Sequence, residues 1–414
     1  MEYQTLILTL ACIFGFLMAY GIGANDVANA MGTSVGSKTL TLKQAIVIAA
    51  VFECCGAILA GSEVTGTISH GITDMSVYIR YPNILIYGML AALLASAVWL
   101  IFASYFGLPV STTHTIIGAI VGFAVYNNGV DAVNWLKIGS IVLSWIISPL
   151  IGGIVAFAIF KSLQKFILQT SKPFDNAKKY VPFYVLIVGF IIGMVTLVKG
   201  LKHIDIALND FQNILVSLLL GLFLMLLSKI MLRNVKRVKE DDIKFHYTNV
   251  EKIFGVMMIF TACSMAFAHG SNDVANAVGP LAAISNILSG DITSNNVPSW
   301  VLILGGIGIV IGLSTYGYKV IYTIGQNITE LTPSRGFAAE LSAASTVVIS
   351  SGFGMPVSTT HVLVGAILGV GFARGIGALN RNVINKIFMS WAITLPAGAI
   401  LSIIFFISIK HFLS

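Results

Sequence analysis

The chain carries Asn25-Asp26-Val27-Ala28-Asn29-Ala30, and the same pattern returns as Asn272-Asp273-Val274-Ala275-Asn276-Ala277, 247 positions later. Pro109-Val110-Ser111-Thr112-Thr113-His114 returns as Pro356-Val357-Ser358-Thr359-Thr360-His361 at the same offset. Carboxylate and carboxamide oxygens are hard ligands suited to a small cation. Serine and threonine hydroxyls at the start of a helix, beside its free N–H groups, suit an anion without any formal positive charge. Neither motif contains Lys or Arg. A carboxylate repels an anion, so a site made of both needs Na⁺ or H⁺ between them. Such a site holds anion and cation jointly, which is the physical basis of symport. Two motifs in register also mark an internal duplication.

The surroundings place this chemistry in a membrane. Of 414 residues, 57% are hydrophobic and 10% charged, against about 25% charged in soluble domains. The mean hydropathy is +0.90. Apolar segments lie near 5–24, 43–62, 84–105, 114–126, 136–160, 182–198 and 211–230, then 251–268, 299–317, 337–353, 361–374 and 387–410. The first is led by Met1-Glu2 with no basic residue before it, which reads as a membrane segment and not a cleavable leader. Cys12, Cys54, Cys55 and Cys263 lie in apolar runs without metal or redox spacing and read as small packing residues.

These segments predict an all-α integral membrane protein of about twelve transmembrane helices, arranged as five, two and five. The first repeat covers 1–160, two scaffold helices with charged loops cover 161–250, and the second repeat covers 251–414. The net charge of +7 is gathered in loops flanking apolar segments, so it points to membrane topology and not to nucleic acid. Nineteen of the 24 basic residues fall on one side of this arrangement. The positive-inside rule makes that side cytoplasmic and puts both termini outside, extracellular or periplasmic. Seven crossings separate the repeats, an odd number, so the topology of the second copy is inverted. Inverted repeats around a midplane site are a recurrent construction of secondary transporters.

Glycine followed by Asn-Asp predicts that a helix breaks and a new one is capped at each motif. The Pro-Val-Ser-Thr-Thr stretch predicts an extended segment followed by a half-helix with Ser or Thr at its cap. Broken half-helices are thus expected to meet near the bilayer midplane. The segments 114–126 and 361–374 are short of the roughly 20 residues a full span needs, which leaves open whether they cross. Asp26 and Asp273 are intramembrane carboxylates, and such groups are functional by default. Glu53 and Glu340, also deep in apolar runs, do not correspond under the 247 offset and read as coupling or gating carboxylates, with half of a buried polar pair as the alternative for each. His114 and His361, in no metal-ligand spacing, read as interior hydrogen-bonding residues. The plainer alternative for each motif is an ordinary helix cap.

At these residues the chain resembles the inorganic phosphate transporter family, the sodium- or proton-coupled permeases. The likeness rests on Gly23-Ala24-Asn25-Asp26-Val27-Ala28-Asn29, on Gly270-Ser271-Asn272-Asp273-Val274-Ala275-Asn276, on both Pro-Val-Ser-Thr-Thr-His copies, on Phe52-Glu53 and on Thr332–Leu341. It implies twelve helices, outside termini, inward uptake of orthophosphate across a cell (inner) membrane, and a homodimer. The site then expected has phosphate at Ser111, Thr112, Thr113, Ser358, Thr359, Thr360, Asn25 and Asn272. A cation, Na⁺ before H⁺, is expected at Asp26 and Asp273 with Asn29 and Asn276, while Glu53 and Glu340 are required for transport. No other cofactor and no enzymatic activity are expected. Sulfate or another oxyanion is the alternative cargo. An anion channel would call for a basic ring lining a pore, and an intramembrane hydrolase for a motif such as H-E-x-x-H; neither is visible.

Overall fold

The computed structural model describes residues 4–198, 208–237, 243–292, 294, 297–318, 320–321, 332–375 and 381–413, with side chains described outside 27–29, 75, 243–248, 381–388 and 390–391. Among the described residues, twelve helices are sixteen residues or longer, and each covers one of the apolar segments. They are α1 (Gln4–Gly36), α2 (Leu42–Ala60), α3 (Pro82–Tyr105), α4 (Thr112–Asn128), α5 (Trp135–Leu163) and α6 (Pro173–Val198). The others are α7 (Asp210–Arg233), α8 (Ile243–Leu288), α9 (Ser299–Tyr316), α10 (Pro333–Gly352), α11 (Thr359–Arg374) and α12 (Arg381–Leu413). Nine helices among the described residues are long and apolar enough to span a membrane; α4, α10 and α11 are not among these. The protein is an all-helical, multi-pass membrane protein.

Local chemistry starts several of these helices. Thr41 and Gln44 form a reciprocal capping box at α2, and Asn209 and Gln212 form one at α7. Proline occupies the first turn of α3 and of α10, where its missing N–H costs nothing.

The Asn-Asp motifs do not break their helices. α1 runs unbroken through Asn25-Asp26 to Gly36, and α8 runs through Asn272-Asp273 for 46 residues in all. At about 1.5 Å per residue such a helix is some 69 Å long, more than twice the hydrocarbon core. The expectation of a cap at each motif is therefore overturned. The motif glycines serve a different purpose. A Cβ on Gly23 would overlap the carbonyl oxygen of Ile309, and one on Gly312 that of Tyr20, so α1 and α9 cross backbone to backbone. Likewise Gly270 admits the Glu53 carbonyl and Gly56 that of Phe267, which lets α8 cross α2.

The packing follows the duplication. α1 lies against α9 while α8 lies against α2, α5 against α11 while α12 lies against α4, and α1–α3 is matched by α8–α10. Each half thus packs largely on the other half's elements. The two middle helices, α6 and α7, pack on each other, and α6 also lies against α8 and α10.

The crossings make a clear prediction. Gly23→Val and Gly270→Val should each lower the thermal unfolding midpoint of detergent-purified protein, with a cost of about 1–3 kcal/mol or more from overpacking. Gly139→Ala, where nothing lies within 4 Å of the added methyl, should leave the midpoint unchanged or raise it slightly. A Gly23→Val protein that melts with the parent would show that α1 and α9 do not meet there.

Candidate functional site

The Ser-Thr-Thr motifs start new helices, as their spacing predicts. Ser111 caps α4 in extended backbone conformation, its hydroxyl oxygen accepting from the His114 N–H at 3.2 Å. Ser358 caps α11 in the same way, accepting from the His361 N–H at 3.3 Å. The capping oxygens still carry hydroxyl protons that a ligand can receive. Each cap follows an extended connector that turns at a glycine in left-handed conformation, Gly107 (φ 65°) and Gly354 (φ 64°). These two also stand 247 residues apart.

Buried connectors need partners for their polar backbone, and the motif asparagines supply them. The Asn25 amide nitrogen donates to Ser104 Oγ at 3.1 Å and to the Leu108 carbonyl at 3.0 Å, while its oxygen accepts from the Val110 N–H at 3.1 Å. Asn272 donates to Ser351 Oγ at 3.0 Å and to the Met355 carbonyl at 3.2 Å. Both amides therefore hold connectors in place.

The caps of α4 and α11 approach each other. Thr113 Oγ1 donates to the Val357 carbonyl of the other half at 3.1 Å, and Thr360 Oγ1 reaches the Val110 carbonyl at 3.5 Å. Beside them lie the carboxylates. Thr112 Oγ1 donates to Asp26 Oδ2 at 2.6 Å, and Thr359 Oγ1 donates to Asp273 Oδ2 at 2.7 Å. Thr360 Oγ1 also donates to Asp26 Oδ1 at 3.3 Å, and the Asn276 amide donates to Thr112 and Thr113 at 3.1 and 3.2 Å. All of these side chains are buried. The Asn29 side chain lies outside the described residues.

Among the described residues an imidazole also stands in this site, and the motif comparison did not single it out. His269, fully buried, places Nε2 2.9 Å from Asp273 Oδ2 and Nδ1 3.2 Å from Glu53 Oε1. Ligand atoms of Asp26, His269 and Asp273 all lie within 4.8 Å of one another. Asp273 Oδ1, Asn272 Oδ1 and Asn276 Oδ1 are buried oxygens without a hydrogen-bond donor among the described residues. Two carboxylates and an imidazole gathered this closely are ligand types that fit a small cation. The sequence held one signal for His269: it sits four residues before Asp273 on one helix face.

Glu53 thus joins the site through His269, whereas Glu340 stands apart. The Glu340 carboxylate accepts from the hydroxyls of Thr33, Ser34 and Thr261. Thr33 is seven residues beyond Asp26 on α1, or about 10 Å along the helix. His114 and His361 lie behind the caps, ring centres 4.5 Å apart, with Trp145 3.8 Å from His114.

Residues 22–402 match the phosphate transporter family. The chain belongs to that family. A protein of Haemophilus influenzae assigned as a phosphate permease is 52% identical over 408 residues, covering 98% of this chain and 97% of its own length. One of Pyrococcus abyssi is 45% identical, covering 96% and 97%, and one of Chlamydia trachomatis 43%, covering 98% and 99%. A solved structure of a sodium-dependent phosphate transporter superposes with a TM-score of 0.92 at 39% identity, covering 99% of this chain and 100% of that one. Family membership and fold agree with the resemblance stated above, and the family is one of transporters.

Replacing Asn25 tests the connector geometry. Asn25→Leu leaves the buried Val110 N–H without that partner, at a cost of about 1–3 kcal/mol, and also removes the bond to the part-buried Leu108 carbonyl. The midpoint of thermal unfolding should fall, and Asn25→Asp should restore the Val110 bond only. Equal midpoints for Asn25→Leu and the parent would mean that the connector is held otherwise.

Proposed function

We propose that the protein imports inorganic phosphate by secondary active symport with Na⁺. The observation that carries this reading is the composition of the buried site. The N-termini of α4 and α11 lie beside each other, each reaching the other's connector through a threonine hydroxyl, and the ionisable groups beside them among the described residues are Asp26, Asp273, Glu53 and His269. Even with a proton on both nitrogens of His269, three carboxyl groups outnumber one imidazole. A phosphate bearing one or two negative charges gains entry only with small cations on the carboxylate oxygens. The unsatisfied oxygens of Asp273 and Asn276 suit that cation, and the likeness to a sodium-dependent phosphate transporter favours Na⁺ over H⁺.

In this mechanism Ser111, Thr112 and Thr113 with Ser358, Thr359 and Thr360 bind phosphate through hydroxyls and the free N–H groups of α4 and α11. Asp26 and Asp273, with Asn29 and Asn276, hold Na⁺. Asn25 and Asn272 act at one remove, by fixing the connectors that aim the two N-termini. His269 bridges Glu53 to Asp273 and so ties α2 to the cation site, while Glu340 works from its own hydroxyl cluster as a gating residue. The two halves, 1–160 and 251–414, are inverted repeats about this site, with 161–250 as scaffold. The basic loops face the cytoplasm, both termini face outward from the cell membrane, and the working unit is a homodimer.

Reconstituted protein should accumulate labelled phosphate under an inward Na⁺ gradient, with arsenate competing and sulfate not. Uptake indifferent to Na⁺ but driven by a pH gradient would replace Na⁺ by H⁺, and uptake driven by neither would reject symport. Asp26→Asn and Asp273→Asn should each reduce Na⁺-driven uptake by about 10-fold or more, the worth of one charge-assisted ligand. Ser111→Ala and Ser358→Ala should weaken phosphate affinity by about fivefold per lost donor; unaltered competition by unlabelled phosphate would put the anion elsewhere.

A further inference from the structure

A groove of about 710 Å³ opens on the flank of the molecule between α5 and α11. Its walls are Val142, Ile146, Leu150, Ile154 and Phe157 of α5 and Phe372 of α11. All six are exposed at 39–64%, and the five on α5 belong to a helix apolar and long enough to span a membrane. In a bilayer this groove faces hydrocarbon. It is too apolar to hold water, which needs two or more polar partners.

The charges at one end of the groove narrow the occupant. Gly365 packs on the Pro149 carbonyl and Gly369 on that of Gly153. The residue numbers rise together, so α5 and α11 run parallel and end on the same side. Lys161 lies in the last turn of α5 and Arg374 in the last turn of α11, and both are exposed. The Lys161 ammonium stands 5.8 Å from the centre of the Phe157 ring, at the end of the groove wall. An apolar trough ending at Lys161, with Arg374 in the last turn of the parallel helix, is complementary to an amphiphile with an acyl chain and a phosphate headgroup. A second copy of the chain related by a two-fold axis along the membrane normal fits less well, because it would bring a like pair of cations to the same face.

We propose that this groove is a binding site for an anionic phospholipid of the bilayer, with an acyl chain between α5 and α11 and the headgroup phosphate at Lys161 and Arg374. Basic pockets between membrane helices are a recurrent mode of headgroup recognition. The floor of the groove is formed by His114, Trp145 and His361, the side chains directly behind the caps of α4 and α11. A chain in the groove therefore packs against the rear of the two anion-facing helix starts. The inference stands on the groove and its charges, independently of the cargo.

Trp145 supplies the readout. In full-length protein with Trp99, Trp135, Trp300 and Trp391 changed to Phe, Trp145 is the remaining tryptophan of five. Brominated phosphatidylglycerol should quench it in preference to brominated phosphatidylcholine. At about fivefold per basic group the preference should be about 25-fold, and Lys161→Gln with Arg374→Gln should bring it close to one. As a measurement that does not depend on the tryptophan changes, native mass spectrometry of the unsubstituted protein should retain phosphatidylglycerol over phosphatidylcholine, and the double variant should lose that difference. Equal quenching and equal retention of the two lipids would overturn the proposal. So would an unchanged preference in the double variant, or a Trp145 that neither lipid quenches, as when a second copy covers the groove.

Discussion

Extended backbone inside a bilayer must have its N–H and C=O groups met by protein, since no water is there to meet them. Two short extended stretches lead to the caps at Ser111 and Ser358, and each is met by an asparagine from a neighbouring long helix. Asn25 serves Leu108 and Val110, and Asn272 serves Met355. The rest of the site depends on this arrangement. It lets two helices start deep in the protein with their N-termini turned inward. It also sets Asp26 and Asp273, the next residues on α1 and α8, against the first threonines of those helices. Position, dipole and carboxylate are fixed together by the Asn-Asp pair, which is why the pair occurs twice.

The cradle is symmetric, but its charged flank is not. Gly23 meets the backbone of Ile309 just as Gly270 meets that of Glu53, so Ile309 stands where Glu53 stands. His269 corresponds at the 247 offset to Ile22. One half thus carries an imidazole and a carboxylate 3.2 Å apart, and the other carries two fully buried isoleucines. The threonine–carboxylate pairs Thr112–Asp26 and Thr359–Asp273 occur in both halves, whereas the bridge between α2 and α8 through Glu53 and His269 belongs to one side only.

All twelve apolar segments were legible in the sequence, as were the caps at Ser111 and Ser358, because hydrophobic runs and Pro-x-Ser signals are local. The continuity of α1 and α8 was not. Asparagine and aspartate interrupt helices chiefly when their side chains compete for nearby backbone. Here they are engaged by α3, α4 and the connectors, so no local competitor remains and the helix continues. The glycines misled for a related reason, since close approach of α9 and α2, not chain reversal, is what they permit. His269 was half legible: its spacing to Asp273 is local, but Glu53 reaches it from another helix at a position no offset predicts. The Asn29 side chain, expected at the cation, lies outside the described residues.

The Glu340 carboxylate is held by hydroxyls from two other helices. Thr33 and Ser34 belong to α1, and Thr261 belongs to α8, so one side chain on α10 takes hydroxyl donors from both helices that carry the site aspartates. Donors of this kind satisfy the oxygens but bring no charge, and separating either helix from α10 would leave a buried carboxylate short of partners, an expensive state. A shift of α1 relative to α8 at Asp26 and Asp273 therefore has to be accommodated at Glu340. By this geometry Glu340 resists any rearrangement that parts the two long helices on its side of the site, and it tolerates one in which α1, α8 and α10 move as a unit. The crossings at Gly23 and Gly270 impose the same condition on α9 and α2.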